Sequence, residues 1–350
     1  MTKTIRPINV FFFAVALYFG LANPQAQAQN AAGRILGNVT DPSGAAIGNA
    51  NVTVTNVATQ IAQQTSTDKD GFYQILALPI GNYRVVITKD GFQQQAFENQ
   101  TLQINQSLRV DAKLVLGQKN EIVEVREQID TVETVNPTVG ATVTGRAITD
   151  SPLNGRNVLD LAKLQPGVTE ANPDDTSGGG NGNNAGKYNI AGARADSVTF
   201  LLDGGINNEI LGNNVVFNPN PDTIEEFRIL ENNYTAEYGR NGGGIITEVV
   251  KSGTNQWHGS AFDFIRNDAF NANTFFNKSN PDPAKRSPRE VLKRHQFGGT
   301  FGGPITIPHL VHGKDRFFFF VGYQRQKQTQ VQTVNGIVTF TPDQLNGNFS

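Results

Sequence analysis

Cysteine is absent from the 350-residue sequence, which also contains only four histidines, one tryptophan and one methionine. Without cysteine the chain can form no disulfide, thiolate metal site or cysteine nucleophile. With only four histidines, few ligands are available for a histidine-rich metal centre. Charged residues make up only 17% of the chain, and 29 basic against 31 acidic side chains leave a net charge of −2. That balance gives no electrostatic basis for nucleic-acid binding.

The sequence is instead rich in glycine and phenylalanine, with 36 and 23 copies. This composition is typical of turn-rich β structure, so we predict a mainly β fold. No combination of nucleophile, base and orienting group, and no set of metal ligands, can be picked out along the chain. We therefore predict a protein that is not an enzyme and that uses no cofactor or metal.

The first thirty residues have the layout of a secretory signal. Lys3 and Arg6 precede an apolar run over residues 10–22, and small residues follow it up to Ala28. This pattern predicts a signal peptide over residues 1–28. The alternative is a membrane-anchoring helix, although the run is shorter than the roughly 20 apolar residues that a span requires. We expect the mature chain to be exported and to enter a membrane, if at all, as strands.

Residues 33–117 contain short apolar stretches separated by turn signals. Residues 51–56 alternate with period two, which predicts a half-buried strand. The turn signals include Asp41-Pro-Ser-Gly44 and Asp70-Gly71. Several short strands with such turns every eight to twelve residues predict a small antiparallel β-sandwich.

The same stretch resembles the carboxypeptidase regulatory-like domain. The positions that carry the resemblance are Gly37, Val39, Asp41, Gly44, Asp70, Gly71, Tyr73, Gly81, Tyr83, Val85, Gly91 and Phe92. The resemblance implies an immunoglobulin-like or prealbumin-like sandwich, related to carbohydrate-binding folds, that serves as a rigid binding or spacer module. It implies no peptidase activity, because a module without histidine cannot provide a histidine-carboxylate zinc site.

Residues 118–130 are predicted to form a linker between two modules. Within it, residues 121–125 read Glu-Ile-Val-Glu-Val and should be extended. An extended segment in a linker can add a strand to the exposed sheet edge of a partner. The alternative is that these residues are simply the first strand of the next module.

Residues 131–255 mix helix and strand signals, so we predict an α+β module. Residues 157–164 have apolar side chains at helical spacing, and a short helical turn is expected near Asp222. Glu225 and Glu226 are adjacent and would point to opposite faces of a strand. A solvated or structural role is therefore favoured for them over a catalytic carboxylate pair.

This second module resembles the plug domain of TonB-dependent outer-membrane receptors, and most closely the Oar-like branch, in which a regulatory-like sandwich precedes the plug. The residues predicted to form the plug motif are Asn154, Gly155, Arg156, Asp203, Gly204, Glu237, Tyr238, Gly239 and Arg240. The resemblance implies a candidate TonB box, the strand that a periplasmic energy-coupling protein grips, at Ile122, Val123, Glu124 and Val125. Arg126 and Glu127 stand where the family commonly has a small or hydroxyl residue followed by alanine.

Residues 256–350 contain stretches that alternate aromatic with small or polar residues, and we predict strands at residues 257–266, 295–304 and 315–324. Outer-membrane strands have this character, apolar toward lipid and polar toward the lumen. Phe262 and Phe264 share one side of the first stretch, which we therefore expect to face lipid. The four consecutive phenylalanines at residues 317–320 should alternate between the two sides.

A transmembrane barrel needs at least about eight strands, whereas residues 256–350 hold three or four. We therefore expect the start of an incomplete barrel, from a fragment or a truncated reading frame.

Together these features predict an outer-membrane receptor or transporter that takes up an unidentified ligand, possible classes being carbohydrate and peptide. Its expected partners are a TonB-type energy-coupling protein, outer-membrane lipid, the barrel-assembly machinery and an extracellular ligand, but no nucleic acid. The sandwich and the start of the plug would lie in the periplasm. The alternative is a secreted or surface protein that binds carbohydrate or mediates adhesion without transport.

Overall fold

The computed structural model of the chain describes residues 32–117, 122–125, 138–171, 187–210, 212–235, 238–239, 241–307, 311–330 and 341–348. Side chains are not described at residues 122–125, 285, 342 and 343. The predicted signal peptide and most of the predicted linker lie outside the described residues. Within the described residues, no helix has both the length and the apolar character needed to cross a bilayer.

The first module is a sandwich of two sheets. Its strands are β1 (Gly33–Thr40), β2 (Asn51–Asn56), β3 (Ala62–Ser66), β4 (Phe72–Leu78), β5 (Gly81–Thr88), β6 (Gln94–Leu102), β7 (Ser107–Arg109), β8 (Ala112–Lys113) and β9 (Ile122–Val125). One sheet has the order β4-β1-β7, with β8 also pairing with β1, and the other has the order β3-β2-β5-β6-β9. The sheets enclose an apolar core in which the alternating Val52 and Val54 are fully buried.

The sandwich is confirmed, but the expectation that it is antiparallel throughout is wrong. Strands β7 and β8 run parallel to β1, and β9 runs parallel to β6. The cause is connectivity: β7 reaches β1 after the chain has crossed from the other sheet, so no hairpin joins the two strands.

The second module is built around a five-stranded sheet of order β10-β15-β16-β13-β14. Its elements are β10 (Val139–Thr144), α1 (Arg146–Thr149), a 3₁₀ helix at Val158–Leu164, β11 (Val168–Glu170), β12 (Tyr188–Ile190), a 3₁₀ turn at Ala195–Ser197, β13 (Thr199–Leu202), β14 (Gly205–Ile206), a 3₁₀ turn at Pro221–Thr223, β15 (Ile224–Asn232) and β16 (Ile245–Val250). The predicted helix at residues 157–164 and the helical turn near Asp222 are confirmed, both as 3₁₀ structure. The fold of this module is α+β, as predicted.

The 3₁₀ helix at Val158–Leu164 covers one face of this sheet. Its residue Asn157 caps the helix, because the side-chain oxygen accepts from the Leu159 N–H at 3.2 Å. Leu159 and Leu161 are then buried in a core that also contains Phe200 and Phe227 from the sheet.

The third module is an open antiparallel sheet of order β17-β18-β21. Its elements are β17 (His258–Asn267), a 3₁₀ turn at Asp268–Phe270, α2 (Phe275–Lys278), a 3₁₀ turn at Pro283–Lys285, β18 (Leu292–Pro304), β19 (Thr306–Ile307), β20 (Val311–His312), β21 (Phe318–Gln330) and α3 (Pro342–Leu345). The three predicted strands are present, and the polar stretch between β17 and β18 is largely exposed.

The sides of the first barrel strand are reversed relative to the expectation. Phe262 and Phe264 do not point away from the plug, because the guanidinium carbon of Arg156 lies 4.7 and 4.1 Å from their ring centroids. The opposite side of the sheet carries the exposed Phe301 and Val321. An alternating pattern shows that a strand has two different sides, but it does not show which side faces the plug. In β17 the buried guanidinium of Arg156 attracts the faces of the Phe262 and Phe264 rings, so that side faces the plug.

The phenylalanine run alternates as expected. Phe319 contacts the rings of Trp257 and Phe301, with centroids 5.7 Å apart in each case. Its neighbour Phe320 lies on the other side of the sheet, stacked on His258 at 6.1 Å.

Candidate functional site

The candidate TonB box is a strand at the end of a sheet. Strand β9 pairs with β6 in parallel, with Gln94 opposite Ile122 and Phe97 opposite Val125. Among the described strands it has no second neighbour, since it is the last in the order of its sheet. One backbone edge of β9 is thus held by the sandwich, and the other is available for pairing.

The predicted plug residues Asn154 and Gly155 lie in a turn that contacts the barrel strands. The Asn154 side-chain oxygen accepts from Arg266 of β17 at 2.5 Å. The Gly155 carbonyl accepts from the Gln296 side chain of β18 at 3.0 Å. Glycine suits this position because Gly155 has a φ of +77°, which side chains rarely adopt, and an added Cβ, 2.7 Å from a terminal nitrogen of Arg294, would displace that side chain.

Arg156 of the same turn is buried and paired with Asp222. Its guanidinium donates to the Asp222 carboxylate and, at 3.2 Å, to the Asn220 side chain. Burial lowers the pKa of Arg156, while the charge and hydrogen bond of Asp222 act in the opposite direction. With the rings of Phe262 and Phe264 on it, this cation joins two segments of the plug to the first barrel strand.

Asp203 and Gly204 form the two-residue turn between β13 and β14. Both have positive φ, +47° and +81°, and Leu202 pairs with Gly205 across the turn. This is the backbone that an Asp-Gly hairpin turn adopts. The Asp203 side chain also accepts from the Val250 N–H at 2.8 Å, which ties the turn to β16.

A second carboxylate, Glu248 of β16, is buried close to this turn. The Asp203 N–H donates to the Glu248 carbonyl at 2.9 Å. Burial raises the pKa of Glu248 to about 8, and the charge of Asp203 adds to the effect. Burial thus favours the protonated form of Glu248, which is less costly to bury than the carboxylate.

The last predicted motif lies partly outside the described residues, which omit Glu237 and Arg240. Tyr238 packs against a small apolar cluster of the plug, in an edge-to-face contact with Tyr234 at 6.4 Å between centroids. Gly239 follows it in irregular structure. Tyr238 thus packs against Tyr234 within the plug, whereas Asn154 and Gly155 contact β17 and β18.

Sequence reasoning missed the contact between sandwich and plug. The backbone N–H of Ile104, in the loop after β6, donates to a Glu226 carboxylate oxygen at 2.8 Å. The Ile104 carbonyl accepts from the Arg228 guanidinium. Burial raises the pKa of Glu226 to about 7, while the Ile104 N–H and the Arg228 charge act in the opposite direction. The one available signal was that Glu226 and Arg228, two apart on a strand, share a face.

Carboxylates in the described part of the chain do not assemble into a metal centre, because no group of three or more His, Cys, Asp or Glu side chains converges there. The contacts above comprise a strand at the end of a sheet, a turn that contacts β17 and β18, and a buried ion pair.

Three family models match successive parts of the chain. The carboxypeptidase regulatory-like domain matches residues 34–115, the TonB-dependent receptor plug domain residues 133–245, and an outer membrane beta barrel domain residues 249–350. Sandwich, plug and barrel strands occur in the same order in the structure. The chain thus has the domains of a TonB-dependent receptor, with a plug domain ahead of barrel strands. The contacts of Asn154, Gly155 and Arg156 therefore join the plug domain to the barrel domain.

The chain is similar to the TonB-dependent transporter Oar of Myxococcus xanthus, at 27% identity over 92% of this chain and 29% of the relative. It thus spans about 29% of the length of that relative. Among solved structures, the outer membrane transporter YddB from Escherichia coli is 18% identical over 54% of this chain and 26% of its own, with a TM-score of 0.40. The siderophore receptor PirA from Acinetobacter baumannii is 17% identical over 58% of this chain and 26% of its own, with a TM-score of 0.39.

Proposed function

We propose that the chain provides the periplasmic and plug-forming part of a non-enzymatic outer-membrane transporter that takes up a carbohydrate or peptide ligand. A TonB-type protein in the periplasm supplies the energy by gripping Ile122–Val125. Export follows from a signal peptide over residues 1–28, and the barrel-assembly machinery inserts the strands into outer-membrane lipid. The extracellular ligand binds on the side of the plug that faces away from the sandwich.

The observation that carries this proposal is the position of β9. A strand that is paired on one side only, at the end of a sheet, presents the backbone donors and acceptors that strand addition uses. An energy-coupling partner that adds a strand there gains main-chain hydrogen bonds without requiring a particular side-chain sequence. This accommodates Arg126 and Glu127, which depart from the family's usual residues.

The plug contacts support a plug that moves. The turn at Asn154 and Gly155 is joined to β17 and β18 by hydrogen bonds, two of them from the side chains of the exposed Arg266 and the buried Gln296. Such hydrogen bonds contribute only about 0.5–1.5 kcal/mol each, or about 1.5–3 kcal/mol when one partner is charged. A pull on the plug can break them one at a time, which suits a reversible opening.

The test is removal of the strand from the full-length receptor. Deletion of residues 121–125 should abolish capture of the receptor by the immobilised periplasmic domain of the TonB-type protein. Proline variants sharpen the test, because successive N–H groups of a strand point to opposite edges. Of Ile122→Pro and Val123→Pro, one removes an N–H from the open edge and should weaken capture more than the other.

Capture that is unchanged by the deletion would reject Ile122–Val125 as the gripped strand. Fractionation tests the wider role: the full-length protein should be recovered with outer membranes. Recovery as a secreted, soluble, sugar-binding protein would instead support the adhesion alternative.

A further inference from the structure

We propose that the sandwich relays the pull from β9 to the plug strand β15, through Ile104. This inference rests on the proposed function, in which a periplasmic partner pulls on β9. It adds a role for the sandwich, which becomes the connection between the gripped strand and the plug sheet rather than a spacer.

The first link is the β6–β9 ladder. The two strands run parallel over four residue pairs, from Gln94 opposite Ile122 to Phe97 opposite Val125. Because the hydrogen bonds of the ladder join the two backbones, displacement of β9 along its axis acts directly on β6. Strand β6 is paired on its other side with β5, so the force is transmitted to the rest of the sheet.

The second link is the loop that follows β6. Strand β6 ends at Leu102, and Ile104 comes two residues later with no exposed surface. Both backbone polar groups of Ile104 bond to the plug: its N–H to Glu226 at 2.8 Å and its carbonyl to Arg228. Both backbone groups of this buried residue hydrogen-bond to another domain. Leaving either group unpaired in a buried site is costly, so Ile104 is a fixed attachment point between the two domains.

The third link is β15, the strand to which Ile104 is hydrogen-bonded. Strand β15 lies between β10 and β16, inside the plug sheet rather than at its edge. Glu226 and Arg228 are 3% and 7% exposed and face the sandwich, while Glu225 is exposed. Force applied to these two side chains reaches a strand that is paired on both sides, and so acts on the sheet as a unit.

A cleft between the sandwich and the plug increases the share of any force that must pass through the Ile104 contact. A cleft of about 980 Å³ separates parts of the sandwich, including Leu78 and Tyr83, from Val250 and Lys251 of the plug. A backbone hydrogen bond from Asn255 to the Ala58 carbonyl, at 3.1 Å, joins the sandwich to the segment that leads into β17. Ile104 provides an attachment to the plug sheet itself.

The experiment measures amide hydrogen exchange in the full-length receptor, purified in detergent, with and without the periplasmic domain of the TonB-type protein from the same genome. Without an energised membrane the domain exerts no pull, and the perturbation is the displacement of β9 when the domain adds a strand to it. This displacement should speed exchange about tenfold in β6, in residues 103–106 and in β15, equivalent to the loss of roughly one hydrogen bond. In Glu226→Ala, the response should persist in β6 and disappear from β15, with capture of the domain unchanged.

Two variants serve as controls. Glu226→Gln keeps a carbonyl oxygen that can accept from Ile104 and should keep the β15 response. Glu225→Ala changes the adjacent exposed carboxylate and should also leave the response intact. Thermal unfolding establishes that each variant is folded, and if Glu226→Ala is not, Arg228→Met removes the other contact to Ile104 and takes its place.

The relay is overturned if the domain speeds exchange in β15 as much in Glu226→Ala as in the unmodified receptor. The displacement of β9 would then reach the plug through the covalent connection alone. It is also overturned if β6 responds and β15 does not in the unmodified receptor. Failure of the proposed function is distinguishable, because the domain would then capture the receptor equally well after deletion of residues 121–125.

Discussion

Replacement of Asp222 with Asn is expected to destabilise the plug strongly, because it leaves the guanidinium of Arg156 buried without its counter-charge. The two side chains are only 12% and 7% exposed. Removing one partner of a buried ion pair typically costs about 3–5 kcal/mol, since the other charge stays desolvated. Arg156 keeps a hydrogen bond to Asn220 and two aromatic faces, each face contributing about 0.5–2 kcal/mol. We therefore expect Asp222→Asn to lower the free energy of unfolding of the plug by about 3 kcal/mol, the lower end of that range.

The chain offers an exposed pair for comparison. Arg194 and Asp196 are 2.9 Å apart, with 86% and 53% of their side chains exposed. Such pairs contribute about 0–1 kcal/mol. Asp196→Asn is therefore the matched control, with the same chemical change in the same module.

Hydrogen exchange in residues 158–164 and in β15 reports the free energy of local opening of the plug. A loss of about 3 kcal/mol corresponds to exchange roughly 150-fold faster in Asp222→Asn. The double variant Arg156→Met with Asp222→Leu should recover most of the loss, because no buried charge remains. The reasoning is refuted if Asp222→Asn exchanges no faster than Asp196→Asn.

Two further substitutions test the turn and the buried carboxylate. Gly155→Ala and Gly192→Ala should each lose about 1–2 kcal/mol from positive φ, but only Gly155→Ala should also alter exchange in β18, because only there does the added Cβ meet Arg294; an unaltered β18 would reject the docking role. The pKa of Glu248, raised to about 8 by burial and by the charge of Asp203, lies above its unfolded value. The folded state therefore holds the proton more tightly, and stability falls as pH rises from about 4.5 to 8, by up to about 1.4 kcal/mol per pH unit. Urea unfolding across that range should show a shallower decline for Glu248→Gln, and identical slopes would contradict the assignment.

Local signals were enough for most of the strands and turns. The Asp70-Gly71 turn was visible in the sequence because Gly71 has a φ of +74°, a conformation that few residues other than glycine tolerate. Strand β2 was visible because one of its faces is buried and the other is not, which produces alternation.

Strand β6 was not predicted, for a related reason. Gln94–Leu102 is rich in glutamine, and its polar side chains hide the pattern that a half-buried strand normally shows. The parallel neighbour of this strand, β9, follows from the topology of the sandwich and not from any local pattern. The sequence therefore indicated an extended segment at residues 121–125 but not the sheet to which it belongs.

The adjacent residues Glu225 and Glu226 illustrate where local reasoning ends. Strand geometry predicted that they point to opposite faces, and the structure has Glu225 exposed and Glu226 buried. The partner of Glu226, however, is a backbone N–H that is 122 positions away in the sequence. Glu226 accepts from that N–H beside the positive charge of Arg228, and both interactions offset part of the penalty of burying a carboxylate. The functional meaning of Glu226 thus depends on how the sandwich docks on the plug.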